Sequence, residues 1–264
     1  MSSAASSPGW FQKTLRRDRL PLVAGLLGIT ALAWLYIVQI GRTMSPHPGT
    51  AMPMAGDADL PGLAMLVPMW IVMMVAMMVP SASPTILLFA TVARGRQARG
   101  VPTASTAVFT LGYLLVWAFY ATVAAVLQWE LHRLALLSPA MVSARPWLGG
   151  GLLIAAGIYQ WLPVKNSCLS HCRSPLGFLS AEWREGNWGA LVMGIRHGSF
   201  CVGCCALLMT LLFVAGVMNL LWVAAIAIFV LIEKLAPAGK AVGRVIGFAM
   251  VVWGVWVIAA PGFH

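Results

Sequence analysis

Residues 63–89 read Leu63-Ala-Met-Leu-Val-Pro-Met-Trp-Ile-Val-Met-Met-Val-Ala-Met-Met-Val-Pro-Ser-Ala-Ser-Pro-Thr-Ile-Leu-Leu-Phe89, an unbroken stretch without one ionisable side chain. A helix rises about 1.5 Å per residue, so about 20 apolar residues cross a hydrocarbon core of about 30 Å. Comparable runs recur at 21–41, 104–127, 147–163, 192–214, 217–234 and 241–259. Together they predict an all-α, polytopic bundle of about seven transmembrane helices. Lipid offers no water to unpaired backbone groups, which favours helices, and the short alternating strands of a barrel do not appear.

Composition agrees. Of 264 residues, 60% are hydrophobic and 9% charged, against about 25% charged in soluble domains. Mean hydropathy is +0.86. The net charge of +10 does not indicate nucleic acid, because the basic residues fall in alternate connections. Lys13, Arg16, Arg17 and Arg19 precede the first span. Arg94, Arg96 and Arg99 follow the second. Lys165, Arg173, Arg184 and Arg196 follow the fourth, and Lys234, Lys240 and Arg244 follow the sixth. Arg42, Arg133 and Arg145 remain for the other side. The positive-inside rule then predicts a cytoplasmic N-terminus and an external C-terminus. The expected organisation is a basic arm, 1–20, and one transmembrane domain, 21–264. Ala31-Leu32-Ala33 after a basic start would also suit a cleavable signal, but the apolar run continues to Ile40. Gly25, Gly28 and Gly149-Gly150-Gly151 are candidate points of close helix approach.

All five cysteines lie between 168 and 205. Cys168-x-x-His171-Cys172 falls in the expected cytoplasmic loop. His197-x-x-x-Cys201-x-x-Cys204-Cys205 runs into the fifth span. At about 100° per residue, Cys201, Cys204 and Cys205 lie roughly 40°, −20° and 80° around the helix from His197, a single stripe. Thiolate and imidazole suit Cu(I), zinc and iron. A thiolate inside a membrane also needs a cation beside it, which a metal supplies. The alternative reading is that cysteine is simply a small apolar residue in a helix.

Met65, Met69, Met73 and Met77 recur every fourth residue in the second span and are expected on one side of the helix, with Met74 and Met78 as a second, offset pair. Thioethers are soft, neutral ligands that select Cu(I), although methionine is equally an adaptable packing residue. The preceding external segment contributes Met44, His47, Met52 and Met54 in a Pro/Gly-rich stretch. Glu233, beside Lys234 at the end of the sixth span, is an intramembrane carboxylate and hence a candidate functional group. It can also pair with Lys234 and anchor the helix. Asn219 reads as the cap of a short outer turn. A phosphate-binding loop, a CxxCH haem site, HExxH and a nucleophile elbow are all absent.

These segments resemble a bacterial family of uncharacterised, predicted metal-binding integral membrane proteins. The resemblance rests on Met69-Trp70 through Ser81, Tyr159 through Lys165, Cys168 through Phe178, Gly194-Ile195-Arg196-His197-Gly198 through Cys205, Gly216 through Asn219, and Glu233-Lys234 with Pro237. It implies a multi-pass protein of the bacterial inner membrane with the cysteines and His197 as ligand positions, and no assigned activity.

The leading expectation is a copper-handling membrane protein, for transport or delivery. Met69, Met73 and Met77 would relay Cu(I). Cys201, Cys204, Cys205 and His197 would hold it, and Cys168, His171 and Cys172 would pass it to a cytoplasmic acceptor or partner subunit. Zinc or iron at the thiols is an alternative. So are a membrane thiol-disulfide oxidoreductase and an accessory subunit of a larger membrane complex.

Overall fold

A computed structural model of the protein describes residues 9–43, 60–101, 104–134, 136, 146–217 and 219–260. Met44, His47, Met52 and Met54 lie outside the described residues. The helices in chain order are α1 (Gly9–Thr43), α2 (Leu60–Gln97), α3 (Thr106–Arg133), α4 (Pro146–Tyr159), α5 (Pro163–Arg173), α6 (Pro175–Glu182), α7 (Gly186–Thr210), α8 (Leu212–Ala215), α9 (Leu220–Leu235) and α10 (Gly239–Ala259). No strand occurs among the described residues.

Five helical segments are long and apolar enough to cross a membrane. They are Leu20–Arg42, Gly62–Gln97, Thr106–Arg133, Gly186–Ala215 and Gly239–Ala259, and they cover the expected spans 1, 2, 3, 5 and 7. The other two expected spans are shorter elements. α4 has 14 residues and bends by 65° into α5. Pro163 begins α5; it lacks an N–H and suits a new first turn better than a continued helix. α9 has 16 residues, or about 24 Å of helix. Length alone therefore gives five spans, or six with the bent pair counted as one.

The segment expected as a cytoplasmic loop after span four is instead helical and partly internal. Lys165, Leu169 and Cys172 recur at i, i+4 and i+7, and this face of α5 is buried. α6 likewise buries Phe178 and Leu179. α5 is thus folded back against α7.

Small residues set the closest helix contacts. A Cβ added to Gly194 of α7 would collide with the Phe109 carbonyl of α3, and one added to Gly112 with the Leu191 carbonyl. α4 and α10 meet in the same manner: a Cβ on Gly150 would stand 2.6 Å from the Gly254 carbonyl, and one on Gly254 2.6 Å from the Gly150 carbonyl. Such approach is how helices pack where lipid removes the hydrophobic drive. The expectation for Gly25, Gly28 and Gly151 is not met, since nothing lies within 4 Å of a Cβ at any of the three.

α2 carries Pro68, Pro80 and Pro84 inside the helix. A proline cannot donate to the carbonyl four residues back. The carbonyl opposite Pro80 is that of Ala76, and Trp34 of α1 donates its indole N–H there at 3.2 Å. The carbonyl opposite Pro84 is that of Pro80, which accepts from Ser83 Oγ at 2.8 Å. Side chains thus satisfy backbone groups left open in a helix of membrane-crossing length.

Candidate metal centre

The cysteine stripe of α7 lies between two neighbours. Gly194 and Gly198, on one flank, meet α3. Phe200, on the other, stacks on His171 of α5 with ring centroids 4.1 Å apart, and Gly203 faces Cys168. Between these flanks Cys201, Cys204 and Cys205 are 0–1% exposed. Cys204 Sγ lies 3.3 Å from Cys205 Sγ and 4.0 Å from Cys172 Sγ of α5. Cys201 Sγ lies within electrostatic range of Cys172 and Cys205. Four sulfurs from two helices therefore meet at one buried place. All five cysteines are free thiols.

His197 is 2% exposed and packed among Phe109, Tyr113 and Phe178, the last at 5.2 Å between ring centroids. Its Nδ1 is buried with no hydrogen-bond partner among the described residues. It stands within electrostatic range of Cys201 and Lys234.

The expected ligands thus divide. Cys172, Cys201, Cys204 and Cys205 come together, with His197 one turn away on α7. Cys168 is half-buried beside Gly203, where a Cβ would meet its Sγ at 2.8 Å, and makes no sulfur–sulfur contact with the other four. His171 is exposed, with Nδ1 2.9 Å from the Ser167 carbonyl, and turns toward Phe200 rather than the thiols. On α5, His171 directly precedes Cys172, and adjacent helix positions do not share a face.

The methionine row also needs correction. Residues four apart drift by about 40° per step around a helix, so Met65, Met69, Met73 and Met77 wind around α2 rather than sharing one side. Met65 is 66% exposed; Met69, Met73 and Met77 are buried. Taking Ser81 as the direction of the thiols, Met74 and Met77 lie within about 40° of it, whereas Met69 lies about 120° away, nearer the α1-facing carbonyl of Ala76.

Tyr113, Ser81 and Lys165 at the centre carry no site role in the sequence reading, and Lys234 only that of a candidate partner to Glu233. Lys234 of α9 is 4% exposed and donates from Nζ to Cys201 Sγ at 2.9 Å and to Ser81 Oγ of α2 at 3.1 Å. Tyr113 of α3 places its hydroxyl 3.2 Å from Cys201 Sγ and 3.2 Å from the Met78 carbonyl. Next to this group, Lys165 Nζ stands 2.7 Å from Glu233 Oε1 and also hydrogen-bonds Gln160 Oε1. Lys165 and Glu233 are 1% and 2% exposed. Glu233 therefore pairs with Lys165 and not with its neighbour Lys234, again because successive helix residues point about 100° apart. Arg173 adds a bond to the Glu233 carbonyl at 2.5 Å.

Sulfurs bound to one metal at about 2.3 Å stand about 4.0 Å apart in trigonal and about 4.6 Å apart in linear coordination. The Cys172–Cys204 separation of 4.0 Å fits that range; the Cys204–Cys205 separation of 3.3 Å is shorter. Among the described residues no three histidine, cysteine, aspartate or glutamate side chains are placed so that they could hold a metal ion as they stand. The donor set, four thiols and an imidazole, suits a soft cation, and loading would require the sulfurs to shift apart.

Fold and site together define a class: an all-helical bundle with helices of membrane-crossing length around a buried group of thiols. The chain belongs to the PpoB2 family, described as copper chaperone, whose family model matches residues 67–257. That range contains every residue placed at the site above. No curated protein and no solved structure matches the chain.

Proposed function

We propose that this chain is an integral membrane copper carrier that binds Cu(I) as cargo at Cys172, Cys201, Cys204 and Cys205, with His197 beside them, and delivers it to an acceptor. The observation that carries this reading is the approach of Cys172 on α5 to Cys204 on α7, with Cys205 in contact with Cys204 and Cys201 buried beside them. The family description supplies the metal. In this arrangement α4 with α5 forms a broken span and α9 a short one, giving seven spans with the N-terminus cytoplasmic and the C-terminus outside. With Lys165 and Lys234 buried, the remaining basic residues still favour that orientation. The membrane is the bacterial inner membrane. Met74 and Met77 share the Ser81 side of α2, and half-buried Cys168 lies on the departure side.

Copper retention in Cys172→Ser and Cys168→Ser tests the reading. Anaerobically purified protein is loaded with Cu(I) and challenged with a Cu(I) chelator. Loss of a ligand is expected to weaken retention by about tenfold or more in Cys172→Ser, with Cys168→Ser close to wild type. Equal retention in wild type and Cys172→Ser would remove α5 from the site. Chelator-resistant copper in neither would remove the copper site itself.

A further inference from the structure

Lys234 presents a problem of charge. A buried ammonium is costly unless it is paired. Its sequence neighbour Glu233 has its carboxylate on Lys165. The bonds Lys234 makes go to Ser81 Oγ, a neutral acceptor, at 3.1 Å and to Cys201 Sγ at 2.9 Å. Of those two atoms only the sulfur can carry negative charge. The sulfur that stands nearest Lys234 is also one of the four gathered thiols.

We propose that Lys234 is a tethered stand-in for the cargo cation: its ammonium occupies the cation position at Cys201, and copper binds there only as Lys234 withdraws. The proposal rests on the copper reading above and adds a release device to it. On loading, the Cys201 thiolate gives up its Nζ–H···Sγ hydrogen bond to the Lys234 ammonium and forms a copper–sulfur bond in its place, with no proton left to move. The copper remains Cu(I), and no electron leaves the metal or the protein. Lys234 keeps its charge and its bond to Ser81, whose own hydroxyl is anchored to the Met78 carbonyl at 2.9 Å. Two cations contending for one sulfur repel each other, strongly so in a medium of low dielectric constant. A site built in this way gives up its ion more readily than the same thiols would alone, which suits delivery rather than storage. Lys234 is thus a positioning residue that acts through Cys201.

Two measurements test this. In the first, Cu(I)-loaded wild type, Lys234→Met and Lys234→Arg are mixed with a Cu(I) chelator and release is timed. Removing the competing charge is expected to slow release about tenfold or more in Lys234→Met, with Lys234→Arg near wild type. Release from Lys234→Met as fast as from wild type, or faster, overturns the proposal. Wild type that retains thiol-dependent copper leaves the copper reading standing in that event; wild type that holds none overturns both. The second measurement needs no copper. Thermal unfolding of metal-free Lys234→Met, Cys201→Ala and the double variant reports whether the two groups form a charge pair. Each single variant is expected to unfold at lower temperature than wild type, and the double variant to regain part of the loss, because no buried charge is then left alone. A Lys234→Met protein that fails to fold while the double variant folds gives the same answer. A double variant with losses that simply add, or one that is no more stable than either single variant, overturns the pairing.

Discussion

Replacement of Cys201, Cys204 and Cys205 together by serine is expected to abolish chelator-resistant copper, from about one ion per chain to none. Serine is nearly isosteric, but its hydroxyl is a hard donor with little affinity for Cu(I). The three positions lie fully inside the bundle, between α3 on one flank and α5 on the other, so no external ligand can replace them without opening the helices. Cys172 and Cys168 would remain, together with the buried methionines. Copper analysis after gel filtration in detergent measures the effect. Undiminished copper in the triple variant would assign the metal to the methionine row or to the segment 44–54, and the thiols to packing.

The second large effect is on stability. Glu233→Gln leaves the Lys165 ammonium buried without its carboxylate, and breaking such a pair costs about 3–5 kcal/mol. The pair ties the bent α4–α5 element to α9 through Gln160, Lys165 and Glu233, and Gly243 of α10 leaves the room: a Cβ there would stand 2.6 Å from Glu233 Oε1. Because Cys172 sits on α5 beside this link, loosening it should also weaken copper retention. A Lys165→Met/Glu233→Leu double variant is expected to regain most of the stability, since well-packed apolar side chains often replace a buried pair at little cost. Thermal unfolding followed by circular dichroism checks both. Equal losses in the single and double variants would mean that steric fit, and not charge, governs this position.

Much of this was legible in the sequence, for reasons that differ residue by residue. The long apolar runs announced the five longest spans because helix length and lipid thickness are linked by geometry alone. The stripe of Cys201, Cys204 and Cys205 followed from helical period, and the capping role of Asn219 from its side-chain oxygen, which accepts from the Leu221 N–H at 3.2 Å. Contacts between distant segments were not legible. The sequence places Cys172 outside the bundle because Pro163 and a run of polar residues look like a loop; only packing against α7 turns that run inward. Lys165 and Lys234 read as boundary charges because a lone lysine near a span end ordinarily reaches for water. Their burial depends on Glu233 and Cys201, which lie 68 and 33 residues away. The winding of Met65 to Met77, by contrast, could have been read from the drift of a four-residue period.

X-ray absorption at the copper edge of loaded, purified protein tests most directly whether thiols of α5 and α7 share one ion. The expected result is sulfur neighbours at about 2.3 Å, with fewer of them in Cys172→Ser than in wild type. A copper environment of nitrogen and oxygen alone, or a sulfur count that Cys172→Ser leaves unchanged, would contradict a shared site.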